Sequence, residues 1–290
     1  MMLYSDMIQA LTSINSASNL CLNSLPHCSN LLFQLNKRKT DKEAWFSDLI
    51  SLYLEIRNVQ YNNLEEYVSE ITTKTNLYMN FMWPPERNLF SHQADFTSSI
   101  IPEMLCLIFD SIIKCERQEL EVYAQKDLTI ECIFDAHDGG IMQFKNKRVD
   151  VAVVKTCQLS FNGADVAFPV PLLAIECKTN LDKNMISGIE HSVEELKKTF
   201  PDCKYFVITE VSDFDARKSN YASSGIDEIY VLRKQKRAVI RRTPNLRQNL
   251  SGALVFEIAN TFREMAHNLN SEILSLNTRM ANGKLIGREL

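Results

Sequence analysis

Two segments of the chain are apolar at nearly every position. Arg148 to Val154 reads Arg-Val-Asp-Val-Ala-Val-Val, and Pro171 to Asn180 reads Pro-Leu-Leu-Ala-Ile-Glu-Cys-Lys-Thr-Asn. Short runs rich in aliphatic and β-branched residues predict strands covered on both faces of a sheet. Lys204 to Val211 is a third such run, and Leu128 to Phe134 and Asp227 to Arg233 predict two more strands. Between the second and third runs the period changes to 3.6. Ile186, Ile189, Val193, Leu196 and Phe200 form one apolar stripe, closed by Pro201. A helix joining two strands predicts that they run parallel with a right-handed crossover. The turn signal Asp138-Gly139-Gly140 instead predicts an antiparallel pair between the 128–134 strand and the Asp150 strand, and Asn162-Gly163 a loop before the Glu176 strand.

The first third of the chain follows another pattern. Residues 1–38 predict short helices and loops. Thr40 and Asp41 are placed to cap a helix running to Ile56, with Glu43 in a capping box, and a second helix after Asn62-Asn63 places Leu64, Tyr67, Val68 and Ile71 on one face. Trp83-Pro84-Pro85 ends it and marks a boundary. Ser98-Ser99-Ile100-Ile101-Pro102-Glu103 starts a further helix through Leu105, Ile108 and Ile112, and a last helix after Ser251-Gly252 turns Leu254, Ile258, Phe262, Met265 and Leu269 inward. The expected organisation is a helical region, residues 1–92, followed by an α/β region, residues 93–290, with a mixed sheet flanked by helices.

Composition changes this picture little. Apolar residues at 45% and charged residues at 23% are ordinary for a globular protein, and 290 residues suffice for a full core. A net charge of −4 argues against indiscriminate coating of nucleic acid or membrane, though not against a locally basic surface. Eight scattered cysteines without a CxxC pair or a nearby His spacing for zinc predict reduced thiols. Polar residues interrupt the N-terminal apolar positions, so no signal peptide is expected. Pro169, Pro171 and Glu176 break the longest apolar run, so no membrane span is expected either. The expectation is a soluble, cytoplasmic protein.

The chemistry concentrates in the two apolar runs. Alternation along a strand points Glu176 and Lys178 to one face and Ile175 and Cys177 to the other. An acid and a base sharing a face of a buried strand are costly unless they pair, bind metal or act chemically. With Asp150 alongside, two carboxylates and an ammonium surround one point. That set suits a divalent cation and a water attacking a phosphate. A strand-end ion pair is the plainer alternative.

These residues resemble the PD-(D/E)xK nuclease superfamily: Val149-Asp150, then Glu176-Cys177-Lys178 after 25 intervening residues, with Val149 where that family carries proline. The runs SSIIPE, RVDVAVV, LLAIECKTNLDKNM and DEIYVLRKQKR are similar to the two-subunit restriction endonucleases typified by BbvCI. The resemblance implies a restriction-endonuclease-like fold and Mg²⁺-dependent hydrolysis of one strand of duplex DNA at a short asymmetric site, leaving 5′-phosphate and 3′-hydroxyl ends. It implies a related second subunit, or self-association, for the other strand. It implies Asp150, Glu176 and the Cys177 carbonyl as metal ligands and Lys178 as the group orienting the attacking water. Glu103 would be an auxiliary acid, or an acid favoured simply by its helix N-terminus. A structure-specific resolvase or repair nuclease, or a DNA-binding subunit without activity, stays open.

For holding DNA, seven basic residues in fifteen stand between Arg233 and Arg247: Arg233, Lys234, Lys236, Arg237, Arg241, Arg242 and Arg247. Such a run predicts salt-dependent phosphate contact, or a solvated loop. Arg217, Lys218 and Asn220 in the loop after Val211, and the Asn-rich N-terminal helical region, are candidates for base readout. The five histidines show no metal or triad spacing, and His191 is expected to be structural or solvent-facing.

Overall fold

The computed structural model describes residues 2–16, 25–37, 43–83, 95–116, 119–135, 141–161, 164–213 and 224–281. Helices α1 (Tyr4–Ser16), α2 (Pro26–Lys37), α3 (Glu43–Arg57), α4 (Leu64–Met82), α5 (Asp95–Ser98) and α6 (Ile100–Glu116) precede the sheet. Strands β1 (Glu121–Asp135), β2 (Ile141–Phe161) and β3 (Ala164–Leu181) follow, then α7 (Lys183–Thr199), β4 (Lys204–Ser212), β5 (Glu228–Val231), α8 (Arg237–Arg242), a 3₁₀ turn at Pro244–Leu246, and α9 (Gly252–Ala281).

The five strands lie in sequence order. β1–β2–β3 are antiparallel, and β3–β4–β5 are parallel. This is the mixed sheet the sequence predicts, with β1 beginning seven residues before the expected Leu128 and β5 shorter than the expected 227–233. The turn at 138–140, the loop at 162–163, the boundary at 92/93 and the readout candidates Arg217, Lys218 and Asn220 lie outside the described residues.

The middle segments of β2, β3 and β4 are apolar because each serves two cores. Val151 and Val153 pack with Leu173, Ile175, Phe206 and Ile208 on the side of α6, α9 and the helical region. Ala152 and Val154 pack with Ala174, Tyr205 and Val207 beneath the α7 stripe of Ile186, Ile189, Val193 and Leu196. The first core runs from Met7 to Ala266, so the N-terminal helices and the sheet bury one continuous cluster. Local signals set the helix ends. Asn63 accepts from the Glu66 amide (2.9 Å) to start α4, and Asp182 accepts from the Met185 amide (2.9 Å) to start α7 as β3 ends. The stretch Phe96–Glu116 is long and apolar enough to cross a membrane by composition, but most of it is buried, as in a core helix. Cys28, Cys106, Cys115, Cys157, Cys177 and Cys203 are free thiols.

Candidate active site

The sheet forks where the charged residues stand. The β2–β3 ladder runs up to Val151 opposite Ile175 and stops. Beyond it β2 remains paired with β1, and β3 with β4, but not with each other. Asp150 and Glu176 are the next residue on each strand. The Cys177 amide, at the crotch, donates to the Asp150 carboxylate (2.7 Å), so a side chain takes over where the ladder ends.

Across the fork, Lys178 Nζ donates to Glu176 Oε1 (2.8 Å), the Tyr205 hydroxyl donates to Glu176 Oε2 (2.8 Å), and Lys147 Nζ lies 3.8 Å from Oε2. The structure therefore brings Asp150, Glu176, Cys177 and Lys178 together. It adds Lys147 and Tyr205, which the sequence pattern does not single out. Glu176 is 9% exposed, whereas the side chains of Lys178 and Lys147 are about one-third exposed, so the lysine side opens to solvent.

A change of face explains Lys147. Alternation would set Val149 and Val151 on one side, yet Val149 packs in the α7 cluster and Val151 in the other. The change falls at Asp150, opposite Gln125. Val151 pairs Ala124 and Val149 pairs Lys126, while Asp150 and Gln125 are skipped, and Gln125 has a left-handed φ of 51°. The irregularity aims Lys147 at Glu176.

The electrostatics of the two acids differ. Burial raises the pKa of Asp150 above its ordinary value, outweighing the Cys177 amide and the Lys178 charge, and the Glu176 charge adds to the rise. Burial pushes Glu176 the same way, but the hydrogen bond and charge of Lys178, the charge of Lys147 and the Tyr205 hydroxyl together hold it below the ordinary value. Burial opposes the charge on Lys178, yet its bond to Glu176 and the nearby carboxylates raise its pKa. The Cys177 thiol is driven well up, chiefly by burial, and its sulfur stays protonated.

Among the described residues no cluster of three or more His, Cys, Asp or Glu side chains forms a metal cage. Two carboxylates at an opening fit a hard cation of the magnesium type. Such an ion takes one or two protein carboxylates and completes its shell with water and substrate phosphate.

Glu103 belongs to a different network. It is 1% exposed and accepts the amides of His27 (2.8 Å) and Cys28 (3.0 Å), the Tyr53 hydroxyl, and Arg57 Nη1 at 3.4 Å. It does sit at a helix N-terminus, but the amides it binds belong to the first turn of α2 rather than to its own helix. The basic run also divides. Arg233 is buried, donating to Glu210 (2.8 Å) and to the Gln248 carbonyl, and the largely buried Arg247 reaches Glu210 (3.2 Å) and lies 4.2 Å over the Trp83 ring. Phosphate contact by these two is thereby corrected to a core ion cluster. Lys234, Lys236, Arg241 and Arg242 stay exposed, as does His191.

The family model for the Bpu10I restriction endonuclease matches residues 98–255, more than half of the chain and all of the fork. Among solved structures, the native BbvCI A2B2 tetramer matches with a TM-score of 0.58 at 21% identity, covering 93% of this chain and 98% of that one. The Type IIF restriction endonuclease Bse634I with cognate DNA matches at 0.39 and 10% identity, covering 74% of this chain and 91% of that one. Among curated proteins none matches.

Proposed function

Because this chain belongs to the Bpu10I restriction endonuclease family, we propose that it is a Type II restriction endonuclease subunit that hydrolyses one strand of duplex DNA at a short specific site, with Mg²⁺. The observation that carries the reading is the fork, where two acids and two lysines meet just beyond the Val151–Ile175 end of the β2–β3 ladder.

The roles follow from chemistry. Asp150 and Glu176 hold the cation through carboxylate oxygens, with the Cys177 carbonyl as a further oxygen donor. When bound, the cation neutralises charge on the phosphate and favours hydroxide over water. Lys178 orients the attacking water and stabilises charge building on the phosphate oxygens. Tyr205 fixes the rotamer of Glu176 through its hydroxyl. Four charges, two of each sign, leave the resting fork formally neutral, so a dication on the carboxylates requires Lys178 and Lys147 to give way towards the phosphate. Their partial exposure leaves room for that. Lys234, Lys236, Arg241 and Arg242 supply an exposed positive segment for backbone contact. Because each fork serves one strand, the second cut falls to a related subunit or a second copy, in keeping with a neighbour that is an A2B2 tetramer.

The test is supercoiled plasmid with Mg²⁺, using this chain alone and mixed with a related subunit. Lys178→Ala should lower cleavage of its strand by roughly 10²–10³-fold, turning double-strand cuts in the mixture into nicks, while DNA binding survives. No Lys178-dependent cleavage in any combination would overturn the reading.

A further inference from the structure

On β3, Asn180 continues the row begun by Glu176 and Lys178. The register with β4 keeps one offset from Leu173–Lys204 through Asn180–Val211, so residues 176, 178 and 180 stand beside 207, 209 and 211, alternate positions of β4. Leu181, the last residue of the strand, packs in the α7 cluster. Asn180 is only 7% exposed, yet among the described residues both its amide nitrogen and its amide oxygen lack a hydrogen-bond partner. A buried amide with both ends unpaired is expensive, and nothing in the packing of a strand end demands one. Its neighbour in the row has the complementary need. Lys178 carries three donors, and in the resting fork it gives a 2.8 Å bond to Glu176 Oε1, the oxygen that must be free to hold a cation.

We propose that Asn180 is a positioning residue whose amide oxygen accepts a hydrogen bond from the Lys178 ammonium once Glu176 is engaged. This rests on the reading of the fork given above. Displaced from Glu176, the ammonium finds its next acceptor two residues along the strand. Held there, it keeps a donor for the attacking water and the phosphate instead of swinging into solvent. The unpaired amide of the resting state is the cost of having that acceptor ready.

Three comparisons test it: Asn180→Leu, which removes the acceptor at similar volume, Asn180→Asp, which keeps an oxygen there, and wild type. Asn180→Leu should slow single-turnover cleavage by about 10–100-fold while Ca²⁺-supported DNA affinity stays unchanged, the loss expected for a partner of a reacting group. Its metal-free melting temperature should equal or exceed that of wild type, because an unpaired amide has left the interior. Asn180→Asp should restore most of the rate. Wild-type cleavage by Asn180→Leu, a fall in its melting temperature alongside its rate, or failure of Asn180→Asp to rescue would each overturn the proposal. Should the leucine variant not fold, Asn180→Ala carries the same comparison. A wild-type enzyme without Lys178-dependent cleavage would instead bring down the reading beneath it.

Discussion

Two buried acids in this molecule have opposite kinds of partner. Glu103, among the helices, is surrounded by groups that cannot leave: two main-chain amides of α2, the Tyr53 hydroxyl and the Arg57 guanidinium. Glu176, at the fork, keeps Tyr205 as one fixed partner, and its charge is balanced by two lysines on long, partly exposed stems. Burial alone does not tell the two apart, since both are at least nine-tenths covered. What separates them is whether the counter-charge is displaceable. Fixed partners join elements of the fold, whereas displaceable ones leave a carboxylate available to something arriving from solvent.

The largest effect expected from breaking this contrast is on stability. Glu103→Ala strands Arg57, Tyr53 and the first turn of α2 in the core, at a cost of roughly 3–5 kcal/mol, the range for halving a buried charged pair. Urea unfolding of the metal-free protein reads it directly. Glu176→Gln, in the same assay, should move the midpoint far less, because its lysines swing into water. A Glu103→Ala protein that unfolds like wild type but no longer cuts DNA would give Glu103 the auxiliary role in chemistry.

A smaller effect comes from the histidine beside Glu103. His27 is fully buried, its Nδ1 3.0 Å from Ser99 Oγ and its Nε2 2.6 Å from the Tyr78 hydroxyl, with Phe96 stacked on the ring. Burial lowers its pKa from 6.5 to about 3, against a smaller opposing hydrogen bond to the Phe96 backbone. The unfolded chain takes up this proton as pH falls below 6.5, and the folded chain does not. Stability from the neutral ring is therefore complete above pH 6.5 and lost progressively towards about 3, at roughly 1.4 kcal/mol per pH unit well inside that window. Glu103 and Asp150 act with the opposite sign, since their raised pKa values favour proton uptake by the folded state. Between pH 6.5 and 5, His27→Gln should flatten the decline seen in wild type. An unchanged slope would mean that the ring is charged in the fold.

How much of this was legible in the chain depends on how local each cause is. The strands of Asp150, Glu176 and Lys204–Val211 stand out because burial on both faces writes an unbroken apolar run, and Glu-x-Lys shares a face by alternation alone. The fork residues follow from those runs. Tyr205 reads as an ordinary core aromatic, because its hydroxyl meets Glu176 only through the parallel register of β3 and β4. Arg233 and Arg247 read as part of an exposed basic run, because Glu210, which buries them, stands more than twenty residues upstream. His27 carries no local pattern at all, and its partners are 51 and 72 positions away. Lys147 is hidden by the change of face at Asp150, which depends on how Gln125 sits across the ladder.

Lys147 also sets the finest test of displaceable charge. It lies 3.8 Å from Glu176 Oε2 and donates no hydrogen bond there, whereas Lys178 holds Oε1 at 2.8 Å. With its side chain 30% exposed, solvent screens the pair to at most about 1 kcal/mol, so Lys147→Ala should cost less than about tenfold in single-turnover rate. It should also lower the Mg²⁺ concentration at half-maximal cleavage, because a cation competing for Glu176 has gone. The two readouts move apart only if Lys147 acts as a removable counter-charge. A loss as deep as that of Lys178→Ala would instead give Lys147 the direct contact with the reacting phosphate, and the roles of the two lysines would be exchanged.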